Sequence, residues 1–301
     1  MARCFVTREL PGTALDRLRA AHEVEVWPGE LPPSRAELIE HAREAEGLLC
    51  LLTDAIDAEV IDACPRLRAI SNYAVGSDNI DSEAAARRGI EVGVTPDVLT
   101  ETTADLAFAL LLAAARRLPE GERDVRDGKW RTWEPRGWLG HDVHGMTLCI
   151  VGMGRIGSAV ASRAEAFSMR VVAVGRGDRL HDALTEADFV SIHCPLTDET
   201  RGLIGADEFG AMKPTAVLVN TARGPIVQTE ALRQALTDGA VAAAALDVTD
   251  PEPLPADHPL LAAPNLLVVP HIGSATHATR ERMAELAVDN LLASLRGLSP
   301  K

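Results

Sequence analysis

Three segments place chemically capable side chains directly after apolar runs: LVNTARGPIV, AAALDVTDPEP and VVPHIGS. They supply Arg223, then Asp247 and Glu252, then His271. Arginine can grip a carboxylate or polarise a carbonyl, and histidine titrates near neutral pH. A neighbouring carboxylate favours the protonated, acid-competent ring. If the runs are neighbouring strands of a parallel sheet, all these side chains leave the same edge, where open α/β sheets bind ligands. The set then suits hydride reduction of a 2-oxo acid. Each residue alone carries little: Arg223 would pass as a salt-bridging surface residue, and Glu252 as solvated surface in a Pro-rich turn. His141, His144, His258 and His277 lack the strand-end context.

The strongest local signal is TLCIVGMGRIGSAVASRAEAF. An apolar strand runs into Gly152, Met153, Gly154, Arg155, Ile156 and Gly157, and then a helical pattern. In a dinucleotide fingerprint Gly152 makes the tight turn, Gly154 lets the backbone approach a pyrophosphate and Gly157 allows close helix–strand packing. The helix N terminus adds unpaired N–H groups and positive dipole. The next strand, MRVVAV, ends in Gly175, Arg176 and Gly177. An NAD-preferring site usually has an acid there. A glycine leaves room for a 2′-phosphate and an arginine can hold it, so the expectation is NADP(H), with NAD(H) possible. Asp178 follows and could accept a ribose hydroxyl instead.

The elements needed to hold these groups follow from periodicity. Up to IEVGV, near residue 94, short apolar strands alternate with amphipathic helices, one capped by Ser34, as in repeated βα units. TPDVLTETTADLAFALLLAAARRL opens a long helix, apolar nearly all round and so expected between domains or at a subunit contact. PEGERDVRDGKWRTWEPRGWLGHDVHG reads as aperiodic and holds Trp130, Trp133 and Trp138. From Met146 a second βα series begins, with strands near 147–151, 170–174, 188–192, 216–220, 242–246 and 266–269. The last helix has no strand after it, so it is expected to return to the first domain. The expected fold is α/β: two doubly wound domains with parallel sheets, a flavodoxin-like substrate domain (1–98 plus 271–301) and a Rossmann coenzyme domain (99–270).

Composition narrows the function classes. Among 301 residues there are 44 acidic and 30 basic side chains, a net charge of -14, which argues against general nucleic-acid binding. The five cysteines show neither CxxC nor metal spacing and read as buried hydrophobes of a reducing compartment; no metal site is expected. LAFALLLAAA is too short to cross a bilayer, and no signal peptide is evident, so no membrane association and a cytoplasmic location are expected.

The chain also resembles the D-isomer-specific 2-hydroxyacid dehydrogenases, and within them the glyoxylate/hydroxypyruvate reductases. The likeness runs through SNYAVGSDNID, TPDVLTETTADLAFALLL, GKWRTWEP, GMGRIG, DFVSIHCPLTDETRGLI, MKPTAVLVNTARGPIV, ALDVTDPEPL and PHIGSAT. By that resemblance Arg223, Glu252 and His271 are the catalytic residues, and Val75 and Gly76 bind the substrate carboxylate through their backbone, together with Arg223. Thr103, Thr221, Ala222, Asp247 and Gly273 join the fingerprint and the Gly175–Gly177 turn around the coenzyme, Asp247 at the nicotinamide carboxamide. The substrate would be glyoxylate or hydroxypyruvate, entering between the domains. The active unit would be a homodimer built largely by the coenzyme domains, with the Trp130–Trp138 segment near the interface. One departure stands out: between GRGD and ALTEADFVSIHCP the family has roughly a dozen more residues, where this chain has only RLHD. The alternatives are a 3-phosphoglycerate or other D-2-hydroxyacid dehydrogenase and, outside enzymes, a dinucleotide-sensing binding protein. The first would want a further basic group that the sequence does not display. The second would show a degraded acid–base set, whereas Arg223, Glu252 and His271 are intact.

Overall fold

In the computed structural model, which describes residues 1–300, the aliphatic runs of the first hundred residues form parallel strands separated by short helices. The elements are β1 (Arg3–Val6), α1 (Ala14–Ala21), β2 (Glu23–Val26), α2 (Arg35–Ala42), β3 (Gly47–Cys50), α3 (Ala58–Ala63), β4 (Ala69–Asn72), α4 (Ser82–Arg87) and β5 (Glu91–Gly93). Their order is β2-β1-β3-β4-β5, the flavodoxin-like arrangement expected. Ser34 does cap α2: it accepts the Glu37 N–H while the Glu37 carboxylate accepts the Ser34 N–H, a reciprocal pair that ends the preceding loop. Phe5, Leu48 and Ile70 leave the sheet into a core shared with α2, α3 and α4.

The second series comprises α5 (Thr100–Ala115), α6 (Leu118–Arg126), β6 (Thr147–Val151), α7 (Arg155–Ala166), β7 (Arg170–Val174), α8 (Leu180–Glu186), β8 (Phe189–Ile192), α9 (Ala206–Ala211), β9 (Val217–Asn220), α10 (Thr229–Thr237), β10 (Ala243–Leu246) and β11 (Leu266–Val268). Its sheet, also parallel, has the order β11-β10-β9-β8-β6-β7. Between β7 and β8 the chain has room only for a turn and the short α8. No strand is added beyond β7, which therefore stands at the sheet edge.

The last helix, α11 (His277–Leu295), follows no strand of its own and packs on β3, β4 and β5 of the first sheet. Buried polar groups seat it there: Ser71 Oγ donates to the Ala287 carbonyl at 2.7 Å, and Asn290 Nδ2 to that of Val94 at 2.8 Å. The two compact units are Met1–Leu99 with the residues from Ser274 onward, and Thr100–Gly273. The second crossing thus falls three residues later than the sequence pattern suggested, and His271, Ile272 and Gly273 stay with the second unit.

One further expectation is corrected. The stretch that reads as aperiodic begins with a helix, α6, whose residues are all at least partly exposed. The apolar helix α5 packs inside its own unit, against α7, β9 and β10, with Ala104, Ala107, Phe108 and Leu111 buried there. Cys4, Cys50, Cys64 and Cys149 are buried free thiols, and burial pushes Cys4 and Cys149 up to about 12, so they behave as packing groups. No helix among the described residues is long and apolar enough to cross a membrane.

Candidate active site

One row of paired residues crosses the whole second sheet: Val174, Val151, Ile192, Asn220, Leu246 and Val268 face one another from β7 to β11. Each lies at or beside the carboxyl end of its strand. Gly175, Gly152, Thr221 and Asp247 follow the row immediately, while Arg223 and His271 stand three residues beyond it. Register alone therefore delivers the fingerprint and the acid–base residues to one edge. The strand order changes direction at β6, beside the fingerprint, which is where such sheets bind nucleotides.

The loop after β11 is fixed from its neighbour. The Asp247 carbonyl accepts the His271 N–H at 2.9 Å, and its carboxylate accepts the N–H groups of Ile272 at 2.6 Å and Gly273 at 2.8 Å. Thr103 Oγ1, from α5, donates to the Gly273 carbonyl at 3.2 Å. Asp247 is 2 % exposed, and burial pushes its carboxyl above the usual range against the pull of these N–H groups and His271. His271 itself has φ +52°, a left-handed backbone that a bulky residue holds only when its surroundings impose it.

The His271 ring meets Glu252 directly, Nδ1 to Oε1 at 2.5 Å. A carboxylate can only accept, so Nδ1 carries a proton and Nε2 is the nitrogen left for exchange with a substrate. Glu252 is steadied by a polar residue that sequence reasoning passed over. Thr249 Oγ1 donates to the Pro251 carbonyl at 2.8 Å, and its N–H reaches Glu252 Oε2 at 3.4 Å.

Arg223 leaves the end of β9 through a loop shaped by Asn220, which is fully buried. The Asn220 amide donates to the Arg223 carbonyl at 2.9 Å and accepts the Ala222 N–H at 3.0 Å. The next residue, Gly224, lies so close to the β10 loop that a Cβ on it would stand 1.9 Å from the Thr249 carbonyl oxygen. The Arg223 loop and the Glu252 turn are thus in backbone contact. Asn220 and Thr249 share a signal that could have found them: a polar side chain at or just past the end of an apolar strand.

The fingerprint has the shape its glycines imply. Gly152, at φ +99°, would press a Cβ to 2.5 Å from the Cys194 nitrogen, and Gly157 would press one to 2.2 Å from the Gly152 carbonyl oxygen. Gly154 differs, because nothing in the protein lies within 4 Å of its Cβ position. Close packing therefore does not require glycine there, whereas a pyrophosphate lying on the backbone would. Gly154 caps α7 without a side-chain bond and the first turn of α7, with Arg155, Ile156 and Gly157, contains no acid. Across the row, Thr221 Oγ1 is buried with no hydrogen-bond partner. An uncovered helix N terminus, a bare glycine and an orphaned hydroxyl on one edge fit a dinucleotide. At the β8 end His193 Nε2 meets Ser191 Oγ at 2.7 Å, and burial depresses its pKa to about 4, so it stays neutral.

In the first unit Val75 and Gly76 follow β4. Asn72 Nδ2 donates to the Gly76 carbonyl at 2.8 Å, and neither the Val75 nor the Gly76 N–H is bonded to another described residue. No group of side chains among the described residues has the makings of a metal site.

A hydrogen-bonded histidine and glutamate at a strand end, beside a glycine-rich dinucleotide fingerprint, is an arrangement suited to a nicotinamide-dependent dehydrogenase. The chain belongs to the D-isomer specific 2-hydroxyacid dehydrogenases: residues 108–273 match the model of that family's NAD binding domain. Within the family it falls in the glyoxylate/hydroxypyruvate reductase group. It is 51 % identical to a glyoxylate reductase of Korarchaeum cryptofilum, over 99 % of this chain and 94 % of that one. Among solved structures it is similar to the TT0316 protein of Thermus thermophilus, with 55 % identity, TM-score 0.93 and coverage of 99 % and 98 %. It is also similar to an NADPH-dependent glyoxylate/hydroxypyruvate reductase of Sinorhizobium meliloti, in complex with NADP and malonate, with 34 % identity, TM-score 0.86 and coverage of 98 % and 93 %. The chain is accordingly an NAD(P)-dependent enzyme that reduces a small 2-oxo acid to the D-2-hydroxy acid.

Proposed function

We propose that the substrate is glyoxylate or hydroxypyruvate and that Arg223, Glu252 and His271 carry the reaction. The observation that supports this most directly is the Glu252–His271 hydrogen bond at the edge shared with the fingerprint. The coenzyme is assigned to Gly152–Gly157, Gly175–Gly177, Thr103, Thr221, Ala222, Asp247 and Gly273. When bound it supplies a hydride to the substrate's 2-oxo carbon.

The protein's own residues handle charge and protons. The unbonded N–H groups of Val75 and Gly76 suit a carboxylate oxygen, as does the Arg223 guanidinium. His271 donates a proton from Nε2 to the oxygen that gains negative charge. Glu252, on Nδ1, fixes the ring's orientation and faces the imidazolium when both nitrogens are protonated. Asp247 acts on backbone, keeping the His271 loop in place.

The protein is further proposed to work as a homodimer formed through the second unit, as its resemblance to the family implies. The function is tested by assaying glyoxylate, hydroxypyruvate, pyruvate and 3-phosphooxy-2-oxopropanoate with NADH and with NADPH. The reading requires the first two to give the highest kcat/KM with at least one coenzyme. A clear lead for the phosphorylated acid would replace it.

A further inference from the structure

The turn after β7 carries a carboxylate that the strand end itself lacks. Val174 closes β7, and its carbonyl accepts the N–H of Gly152, the first fingerprint glycine, at 2.8 Å. The residue after it is therefore the one from which an acid reaches the adenosine ribose in a dinucleotide fold, and here it is Gly175. Three residues on, the chain folds back. Gly177 takes φ +83°, the Asp178 N–H approaches the Gly175 carbonyl at 3.3 Å, and Asp178 Oδ2 accepts the Gly175 N–H at 2.7 Å. A Cβ built on Gly175 would stand 3.4 Å from that same Oδ2. The carboxylate thus sits beside residue 175, near where an acid rooted at that position would put its oxygens. Its other oxygen, Oδ1, makes no hydrogen bond to any described residue.

The cations of this turn are turned to other partners. Arg176 pairs with Glu199 at 2.9 Å, and Arg179 with Asp182 at 2.9 Å. Both pairs are exposed and hold their arginines only weakly. Arg176 is thus held only by an exposed ion pair, whereas Asp178 is held by a backbone bond at the root of the turn. A 2′-phosphate would bring nearly two negative charges toward that fixed carboxylate. A ribose with free hydroxyls would instead donate to it.

We propose that Asp178 is the coenzyme-specificity residue: brought beside Gly175 by the tight turn between β7 and α8, it accepts the adenosine ribose hydroxyls of NAD(H) and repels the 2′-phosphate of NADP(H). The assignment rests on the dinucleotide reading of the fingerprint. It departs from the NADP(H) preference that Gly175-Arg176-Gly177 suggested, because the sequence pattern showed Arg176 but not the carboxylate folded back next to it.

The test is calorimetric binding of NAD⁺ and NADP⁺, without substrate, to the wild type, D178N and R176A. Asparagine can still accept the Gly175 N–H, so D178N keeps the turn and removes the charge. Wild type is expected to bind NAD⁺ at least tenfold more tightly than NADP⁺. D178N should weaken NAD⁺ and strengthen NADP⁺, narrowing the ratio of the two Kd values at least tenfold. R176A should keep the wild-type preference for NAD⁺ over NADP⁺, and a reversal of that preference in R176A overturns the assignment. A wild type that prefers NADP⁺, or a D178N protein in which both Kd values move by the same factor, overturns the assignment. Failure of both dinucleotides to bind the folded wild type would remove the coenzyme site itself, a separate result.

Discussion

Asp247 controls where His271 stands without touching its ring: the Asp247 carbonyl accepts the His271 N–H at 2.9 Å, and its carboxylate holds the next two N–H groups. Replacing it with alanine leaves two N–H groups without their acceptor, at about 1–3 kcal/mol each where they stay buried. D247A should therefore lose about 2–4 kcal/mol in urea unfolding. A displaced imidazole should also lower kcat by about 100-fold. A D247A protein as stable and active as wild type would show that other contacts hold the loop.

His271 and Glu252 should separate by chemistry. H271Q removes the proton donor but can still bond Glu252, so kcat should fall by about 1,000-fold while coenzyme Kd stays within a factor of about two. E252Q keeps an acceptor for Nδ1 and loses the charge, so it should retain more activity than E252A. Steady-state kinetics on glyoxylate with parallel binding titrations read both. Near wild-type kcat in H271Q would end the proton-donor assignment.

Much of this site was legible in the sequence, and the reasons are specific. Arg223, Asp247 and His271 follow apolar runs, and a parallel sheet turns that pattern into a common edge once the strands pair in register. The parts that were not legible depend on contacts across loops. Nothing in ALDVTDPEP says that Asp247 will reach forward to Ile272 and Gly273, or that Thr249 will brace Glu252. The GRGD turn shows its arginine but not the direction of its aspartate. α6 is hidden in the sequence because LPEGERDVR is mostly charged, carries Pro119 and Gly121, and buries none of its residues.

The contact between the Arg223 loop and the Glu252 turn gives a steric prediction. A methyl on Gly224 would meet the Thr249 carbonyl oxygen at 1.9 Å, a backbone atom that cannot swing aside. G224A should cost about 3 kcal/mol of stability or more, as overpacking does. It should also reduce kcat by displacing Glu252 from His271. Thermal unfolding and kcat measured together decide it, and an unperturbed melting temperature would show that the two loops part freely.

The dimer proposal has a surface to test. Leu118 and Val125 of α6, with Trp130, Trp133 and Leu139 beyond it, are all exposed. Solvent-exposed aromatic and aliphatic side chains grouped along one segment mark an association site. Trp138 Nε1 and Lys129 Nζ both bond to Asp124 of α6, at 2.8 and 2.9 Å, so the segment is tied to the helix. Light scattering on the wild type should give the mass of two chains, and the pair W133E and L139E should give one. A monomeric wild type at micromolar concentration would remove the dimer.

His193 makes stability depend on pH in a predictable direction. Burial holds its folded pKa at about 4, below the ordinary 6.5, so the unfolded chain takes up a proton where the folded one does not. The contribution is complete above pH 6.5 and is lost as pH falls toward 4. At pH 5 the wild type should have lost about 2 kcal/mol from this group alone. H193Q, with no titrating ring, should lose that much less between pH 7 and pH 5 in urea unfolding, whatever its stability at pH 7. Parallel curves for the two proteins would mean that the folded ring protonates freely, and that His193 is open to solvent at the β8 end.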